Sequence, residues 1–187
     1  MPFDPDGAKK LLAEAGYPNG FEVQLDCPND RYVNDEVICQ AVVGMLARVG
    51  VKIDLNAEPK SKFFAAISAA GGFDSSFYLL GWTPSTLESY NVFQYIFQCR
   101  DDKGNGGGNN VGDYCNPKVD ELAKQALREP DVEKRDDIFK QAWQISLFDD
   151  VAYIPLHQQA LAWGVSKKTH VVQRPDNYYI FSWVNMD

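Results

Sequence analysis

Histidine is nearly absent: 187 residues contain only His157 and His170. A Cys–His or Ser–His catalytic pair has to use one of them, and neither sits in a nucleophile elbow or comparable setting. The chain also lacks C-x-x-C. Cys27, Cys39, Cys99 and Cys115 are separated by 11, 59 and 15 intervening residues, spacings that do not suit a structural zinc site. Basic side chains are in the minority, 18 against 26 acidic, for a formal charge of −8. Such a chain has no global attraction to nucleic-acid phosphates or anionic lipid. Long apolar runs are missing too. The richest stretch, residues 33–51, is interrupted by Asn34, Asp35, Glu36, Gln40 and Arg48, well short of the roughly 20 residues a membrane helix requires. The opening Met1-Pro2-Phe3-Asp4-Pro5 has neither a basic nor an apolar leader region, so no secretory signal is expected in these first residues.

Apolar residues make up 45% of the chain and aromatics 13%, enough to build a core at this length. Asp4 and Pro5 mark a helix start, Ala8, Leu11, Leu12 and Ala15 form its face, and Gly16 closes it. The acids of Asp4-Pro5-Asp6-Gly7 are explained by capping and the helix dipole. Phe21, Val23 and Leu25 alternate with Glu22, Gln24 and Asp26, which predicts a strand ending at Cys27-Pro28. Val33, Val37, Ile38, Ala41, Val42, Met45, Leu46 and Val49 then form a helical stripe stopped by Gly50. A strand through Val51, Ile53 and Leu55, a helix from Pro59 to Gly71-Gly72, and a two-sided buried strand over 77–80 complete an αβαβαβ order.

Beyond Asp101, glycine and asparagine predict a flexible surface loop up to Tyr114. Its Asp101–Gly106 start has the outline of a calcium loop, but Lys103 and Gly112 occupy the positions that need anionic ligands. Helices are expected from Asn116-Pro117 and from Pro130-Asp131, followed by strands over 151–156, 160–165 and 178–184. The four cysteines allow three pairings. Cys27 ends a strand just before the helix that carries Cys39, and Cys99 and Cys115 flank the Gly/Asn-rich loop. Two sequential disulfides are therefore expected, and with them an oxidising compartment. Trp82 follows Gly81 at a strand end, with Thr83, Ser85, Thr86, Glu88 and Tyr90 beside it. An aromatic plate next to hydrogen-bonding groups is a candidate ligand surface.

Several segments resemble a known family. They are Asp4-Pro5-x-x-Ala8-Lys9-x-Leu11-Leu12-x-Glu14-Ala15-Gly16-Tyr17-Pro18-x-Gly20-Phe21, the strand ending in Gly81-Trp82, Tyr114-Cys115-Asn116-Pro117-x-Val119-Asp120-x-Leu122, and Ile154-Pro155-Leu156-His157. The family is that of the extracellular solute-binding proteins, family 5, of the oligopeptide, dipeptide and nickel type, which serve ABC importers. The resemblance implies an α/β fold: one lobe of a type II periplasmic-binding-protein fold, a mixed sheet flanked by helices. Residues 1–150 would form the C-terminal lobe, and 151–187 would be strands crossing back toward an N-terminal lobe. It further implies a periplasmic location, a peptide or related small solute captured between lobes, and permease subunits as partners. No cofactor, metal, nucleic acid or membrane insertion is implied. The ligand-contacting residues would be Trp82, Thr83, Ser85, Glu88, Tyr90, Asn29, Arg31, Tyr32 and His157. Peptide-binding relatives hold the ligand's amino group with an acid shortly after the Gly-Trp. Here the third residue after Trp82 is Ser85 and the first acid is Glu88, a departure that keeps sugars, opines and metal complexes open as ligands. The alternative from another class is a secreted hydrolase fragment with His157 or His170 as general base.

Overall fold

The computed structural model describes residues 3–101, 106–176 and 178–187. The chain divides into two compact units, Met1–Gly81 and Trp82–Asp187.

In the first unit, α1 (Pro5–Glu14) is capped by Asp4, whose carboxylate accepts from the Gly7 N–H at 2.8 Å. Strands β1 (Phe21–Pro28) and β2 (Val51–Glu58) pair in parallel, from Phe21 opposite Val51 to Pro28 opposite Glu58. Helix α2 (Asp35–Ala47) makes the crossover. One sheet face is apolar: Leu25 and Cys27 bury with Cys39 of α2, and Val42, Ile53, Leu55, Phe77 and Leu79 pack around them. The other face is polar, with Lys52 paired to Glu22 at 2.9 Å. On that face the buried Asp26 carboxylate accepts from Gln24 Nε2 at 2.7 Å, Asn56 Nδ2 at 2.9 Å and Ser75 Oγ at 2.5 Å.

The expected third strand reduces to one parallel bridge between Asp26 and Tyr78. The Asp26 N–H donates to the Phe77 carbonyl and the Leu79 N–H to the Asp26 carbonyl. The next rung of a parallel ladder needs an N–H from residue 28, and Pro28 has none. Residues 77–80 are half-buried rather than covered on both faces. Helix α3 (Lys60–Ala66) is also shorter than its pattern suggested, because Ser68 starts a separate 3₁₀ turn, Ala69–Gly71.

In the second unit, α4 (Ser89–Val92) runs into a π-helical turn, Phe93–Phe97. Helices α5 (Pro117–Arg128) and α6 (Val132–Gln144) are capped by Asn116 and Asp131, each accepting a backbone N–H. Phe93 stacks on Phe139 with centroids 5.8 Å apart and meets Trp143 at 4.4 Å, and Val119, Ala123, Ala126, Ile138 and Ala142 complete the core.

Two expectations fail in this unit. The Gly/Asn-rich segment was expected to be a flexible surface loop, yet its described part is fastened. Buried Asn110 donates to the Gln98 and Tyr114 carbonyls at 3.1 and 2.6 Å and accepts from the Tyr114 N–H at 3.0 Å. Residues 102–105, with most of the calcium-loop outline, lie outside the described residues. The strands expected over 151–156, 160–165 and 178–184 are irregular instead. Among the described residues this region has only β3 (Thr169–His170) antiparallel to β4 (Asn185–Met186), and a 3₁₀ turn, Phe181–Trp183. Alternating or apolar patterns record a capacity to pair, whereas a ladder also needs a second backbone edge. With a parallel pair, an antiparallel pair and flanking helices, the fold is mixed α/β.

Candidate functional site

The predicted ligand residues fall into two groups, one in each unit. In the first unit, Asn29, Arg31 and Tyr32 lie in the turn between β1 and α2. Asn34 starts α2 in a left-handed conformation and makes no side-chain cap. Asp35 takes over that role, accepting from the N–H groups of Arg31 at 2.8 Å, Tyr32 at 2.9 Å and Glu36 at 2.9 Å. Burial by itself would raise the Asp35 pKa, but these donors outweigh it and hold the carboxyl below its ordinary value. The turn is thereby stiffened. The Tyr32 hydroxyl donates to the Gly81 carbonyl at 3.3 Å, and burial of the phenol raises its pKa. A Cβ at position 81 would come within 2.7 Å of the Tyr32 ring, so the close approach requires glycine. The Arg31 guanidinium lies 5.0 Å from the centroid of that ring. The Asn29 N–H donates to the Glu58 carbonyl at 3.0 Å.

In the second unit, residues 82–91 form a turn organised by a residue the sequence reading passed over. Asn91 is only 6% exposed. Its side chain accepts from Trp82 Nε1 at 2.9 Å and donates to Ser85 Oγ at 3.2 Å. Trp82 also meets the Tyr95 ring at 5.6 Å, so the indole is held on two sides. The one available signal for Asn91 was an uncharged polar residue entering the apolar run Val92-Phe93. Glu88 is drawn into an ion pair with Arg135 of α6, Nε to Oε1 at 3.4 Å. Thr83 and Ser85 are exposed and Tyr90 is half-buried.

His157 stands exposed in the irregular segment, apart from this turn in sequence, and His170 lies 3.1 Å from the Asp187 carboxylate, also exposed. All four cysteines are in disulfides, Cys27–Cys39 and Cys99–Cys115, which removes cysteine as a nucleophile. Among the described residues no group of His, Cys, Asp and Glu is placed to hold a metal, and no helix is long and apolar enough to cross a membrane.

The model of the "Bacterial extracellular solute-binding proteins, family 5 Middle" matches residues 1–104. The chain belongs to this family.

Among relatives of this family 5 chain, a glutathione-binding protein, GsiB, of Pectobacterium atrosepticum is 31% identical over 183 residues. That alignment takes in 96% of the chain and 35% of the relative. A dipeptide-binding protein of Pseudomonas aeruginosa is 30% identical over 172 residues, 90% of the chain and 31% of the relative. The chain thus spans about a third of the length of the curated relatives it matches, and both are named as binding proteins. A solved structure of a dipeptide-binding protein from Pseudoalteromonas sp., in complex with Met-Leu, superimposes with a TM-score of 0.82 at 24% identity. The superposition covers 100% of this chain and 36% of that one. This supports a periplasmic-binding-protein fold.

Proposed function

We propose that this family 5 chain is the C-terminal portion of the solute receptor of an ABC importer. It captures a peptide or related small solute in the periplasm and passes it to the permease subunits of the transporter. Residues 1–150 act as the C-terminal lobe, and 151–187 return toward the rest of the protein. That second part is supported by the apolar residues the segment leaves exposed, among them Ile154, Trp163, Tyr178 and Phe181.

The observation that carries the reading is the turn after Gly81. A buried amide clamps the Trp82 indole while Thr83 and Ser85 remain exposed beside it. A plate fixed before the solute arrives loses little conformational freedom on binding. Trp82 then supplies a stacking face, with Thr83, Ser85, Glu88 and Tyr90 as neighbours, and Asn29, Arg31, Tyr32 and His157 contribute further polar contacts. The names of the glutathione- and dipeptide-binding relatives point to small peptides as the first solutes to try. The hydrolase alternative has less support: the cysteines are bridged, and the carboxylate beside His170 is that of Asp187 at an exposed surface.

The test is native mass spectrometry of the whole protein as purified, followed by calorimetric titration with Met-Leu and glutathione. A co-purifying small solute, or saturable binding, is expected. Trp82→Ala should weaken that binding about fivefold or more, corresponding to loss of roughly 1 kcal/mol of stacking. Unchanged affinity would make Trp82 a packing residue. Absence of any bound or titratable solute would remove the receptor reading.

A further inference from the structure

The first unit carries a cleft at the end of its sheet away from the β1–α2 turn. Its volume is about 310 Å³, and α1, the 17–20 turn and the last turn of α2 line it. Gly20 and Gly50 of the cleft directly precede β1 and β2, whereas Asn29, Arg31 and Tyr32 follow the other end of β1. The eight residues of β1, at about 3.3 Å each, separate the two places by roughly 25 Å. The cleft is shaped in advance. A Cβ on Gly20 would lie 1.7 Å from the Gly50 carbonyl oxygen, so the two turns are in close contact. The N–H groups of Tyr17 and Gly20 donate to the Leu12 and Tyr17 carbonyls at 2.8 and 2.9 Å, and the Tyr17 ring meets Phe21 with centroids 5.1 Å apart. Half-buried Leu12 and Val49 and exposed Tyr17 and Pro18 give it apolar surface. Its charge is of one sign: Lys9 and Arg48 line it, and no Asp or Glu does. In a chain of net charge −8 this is a local reversal. Glu14 and Glu22, which flank the 17–20 turn, are held by Lys10 at 3.9 Å and Lys52 at 2.9 Å. Among the described residues neither Lys9 nor Arg48 forms an ion pair. The helix dipole accounts for a cation at Arg48, the C-cap of α2, but not for Lys9 in the middle of α1.

From this arrangement we infer that the cleft is a second binding site, for a small carboxylate with a compact apolar body. The Arg48 guanidinium offers a planar fork matched to a carboxylate, and Lys9 adds a point-like charge. The apolar body displaces water from Leu12, Tyr17 and Val49, and a cleft already shaped loses little conformational freedom on binding. A volume at the lower end of ligand-sized cavities suits a body of about one ring and excludes an extended peptide. The site stands independently of the receptor reading, because none of its lining residues belongs to the predicted solute contacts.

Titration of the whole protein with hydrocinnamate and with its neutral, nearly isosteric amide, followed by NMR relaxation of the probe's ring protons, tests it. The carboxylate should bind at least about fivefold more tightly than the amide, and rising ionic strength should narrow the difference. Lys9→Gln/Arg48→Gln, two exposed changes, should bring the two probes to equal affinity, while Lys9→Arg/Arg48→Lys should keep the preference. Met-Leu should titrate the Gln variant as it does the unaltered protein. Four results would overturn the inference: no saturable binding of hydrocinnamate, equal affinities for the two probes in the unaltered protein, a carboxylate preference that survives in Lys9→Gln/Arg48→Gln, or altered Met-Leu binding in that variant. A protein that binds the carboxylate through Lys9 and Arg48 but does not bind Met-Leu would keep this site and lose the peptide reading.

Discussion

The two disulfides close loops of similar length but sit in different surroundings, which makes their removal a test of the energetic reasoning. Cys27–Cys39 spans a sequence separation of 12 and Cys99–Cys115 one of 16. The chain-entropy model then assigns each about 3 kcal/mol. Burial separates them. Cys27 and Cys39 are 0% and 1% exposed within the apolar cluster between α2 and the sheet, whereas Cys115 is exposed. Alanine at 27 and 39 removes two packed sulfurs, adding about 1 kcal/mol each in lost contacts. The paired change Cys27→Ala/Cys39→Ala should therefore cost roughly 5 kcal/mol, and Cys99→Ala/Cys115→Ala about 3 kcal/mol. With a urea m-value near 2 kcal/mol/M, the midpoints should fall by about 2.5 M and 1.5 M. The four tryptophans, Trp82, Trp143, Trp163 and Trp183, all belong to the second unit. Far-UV dichroism should follow the first change and tryptophan fluorescence the second. Equal shifts, or a larger shift for the Cys99 pair, would refute the burial argument, and a shift under 0.5 M for both would refute the loop-closure estimate.

Two further expectations concern the first unit. The Asp35 carboxyl is held below its ordinary pKa by three backbone donors, so the unfolded chain binds its proton more tightly than the native one. Its stabilisation is complete above the ordinary carboxylate range and is lost as pH falls through the lowered native value. Asp35→Asn should cost about 1–2 kcal/mol at pH 7 and much less near pH 2. Urea midpoints that fall equally at both pH values would contradict this. Gly20 has φ +75° and a Cβ there would lie 1.7 Å from the Gly50 carbonyl oxygen, while Gly16 at φ +95° has open space around it. Thermal unfolding should show Gly16→Ala costing about 1 kcal/mol and Gly20→Ala about 3 kcal/mol; similar costs would mean that the close approach of the strand starts is unimportant.

Much of the first unit was legible because its signals are short-range. The Asp4 cap, the alternation of Phe21 to Leu25, the helical period of α2 and the glycines before each strand act within a few residues and appear where expected, although Val33, Val37 and Met45 of the α2 stripe are exposed. The sequential disulfides were legible for the same reason, since each joins neighbouring elements. Misreadings arose where a residue's role depends on distant chain. Phe77-Tyr78-Leu79-Leu80 has strand composition, but Pro28 on the neighbouring strand withholds the donor that would extend the ladder. The Gly/Asn-rich segment has loop composition, but Asn110 ties it to Gln98 and Tyr114. In the candidate site, Trp82 and Ser85 were visible from their place after Gly81. Asn91 was not, because a single asparagine carries no sign of which donor it will meet.

The amino-acid sequence alone determined the class of the molecule. Its net acidity and scarcity of histidine excluded other classes, and the motifs spread from Asp4 to His157 carried the resemblance to the solute-binding proteins of family 5. Helix caps, strand alternation and sequential disulfide loops were legible as well, because they are encoded within short windows. Only the tertiary structure decided which way the hydrogen bonds in the 82–91 turn run and that Glu88 is committed to Arg135. Those facts depend on which donors and charges the fold brings within about 3 Å of one another, and no window of sequence holds both partners in the geometry that sets them.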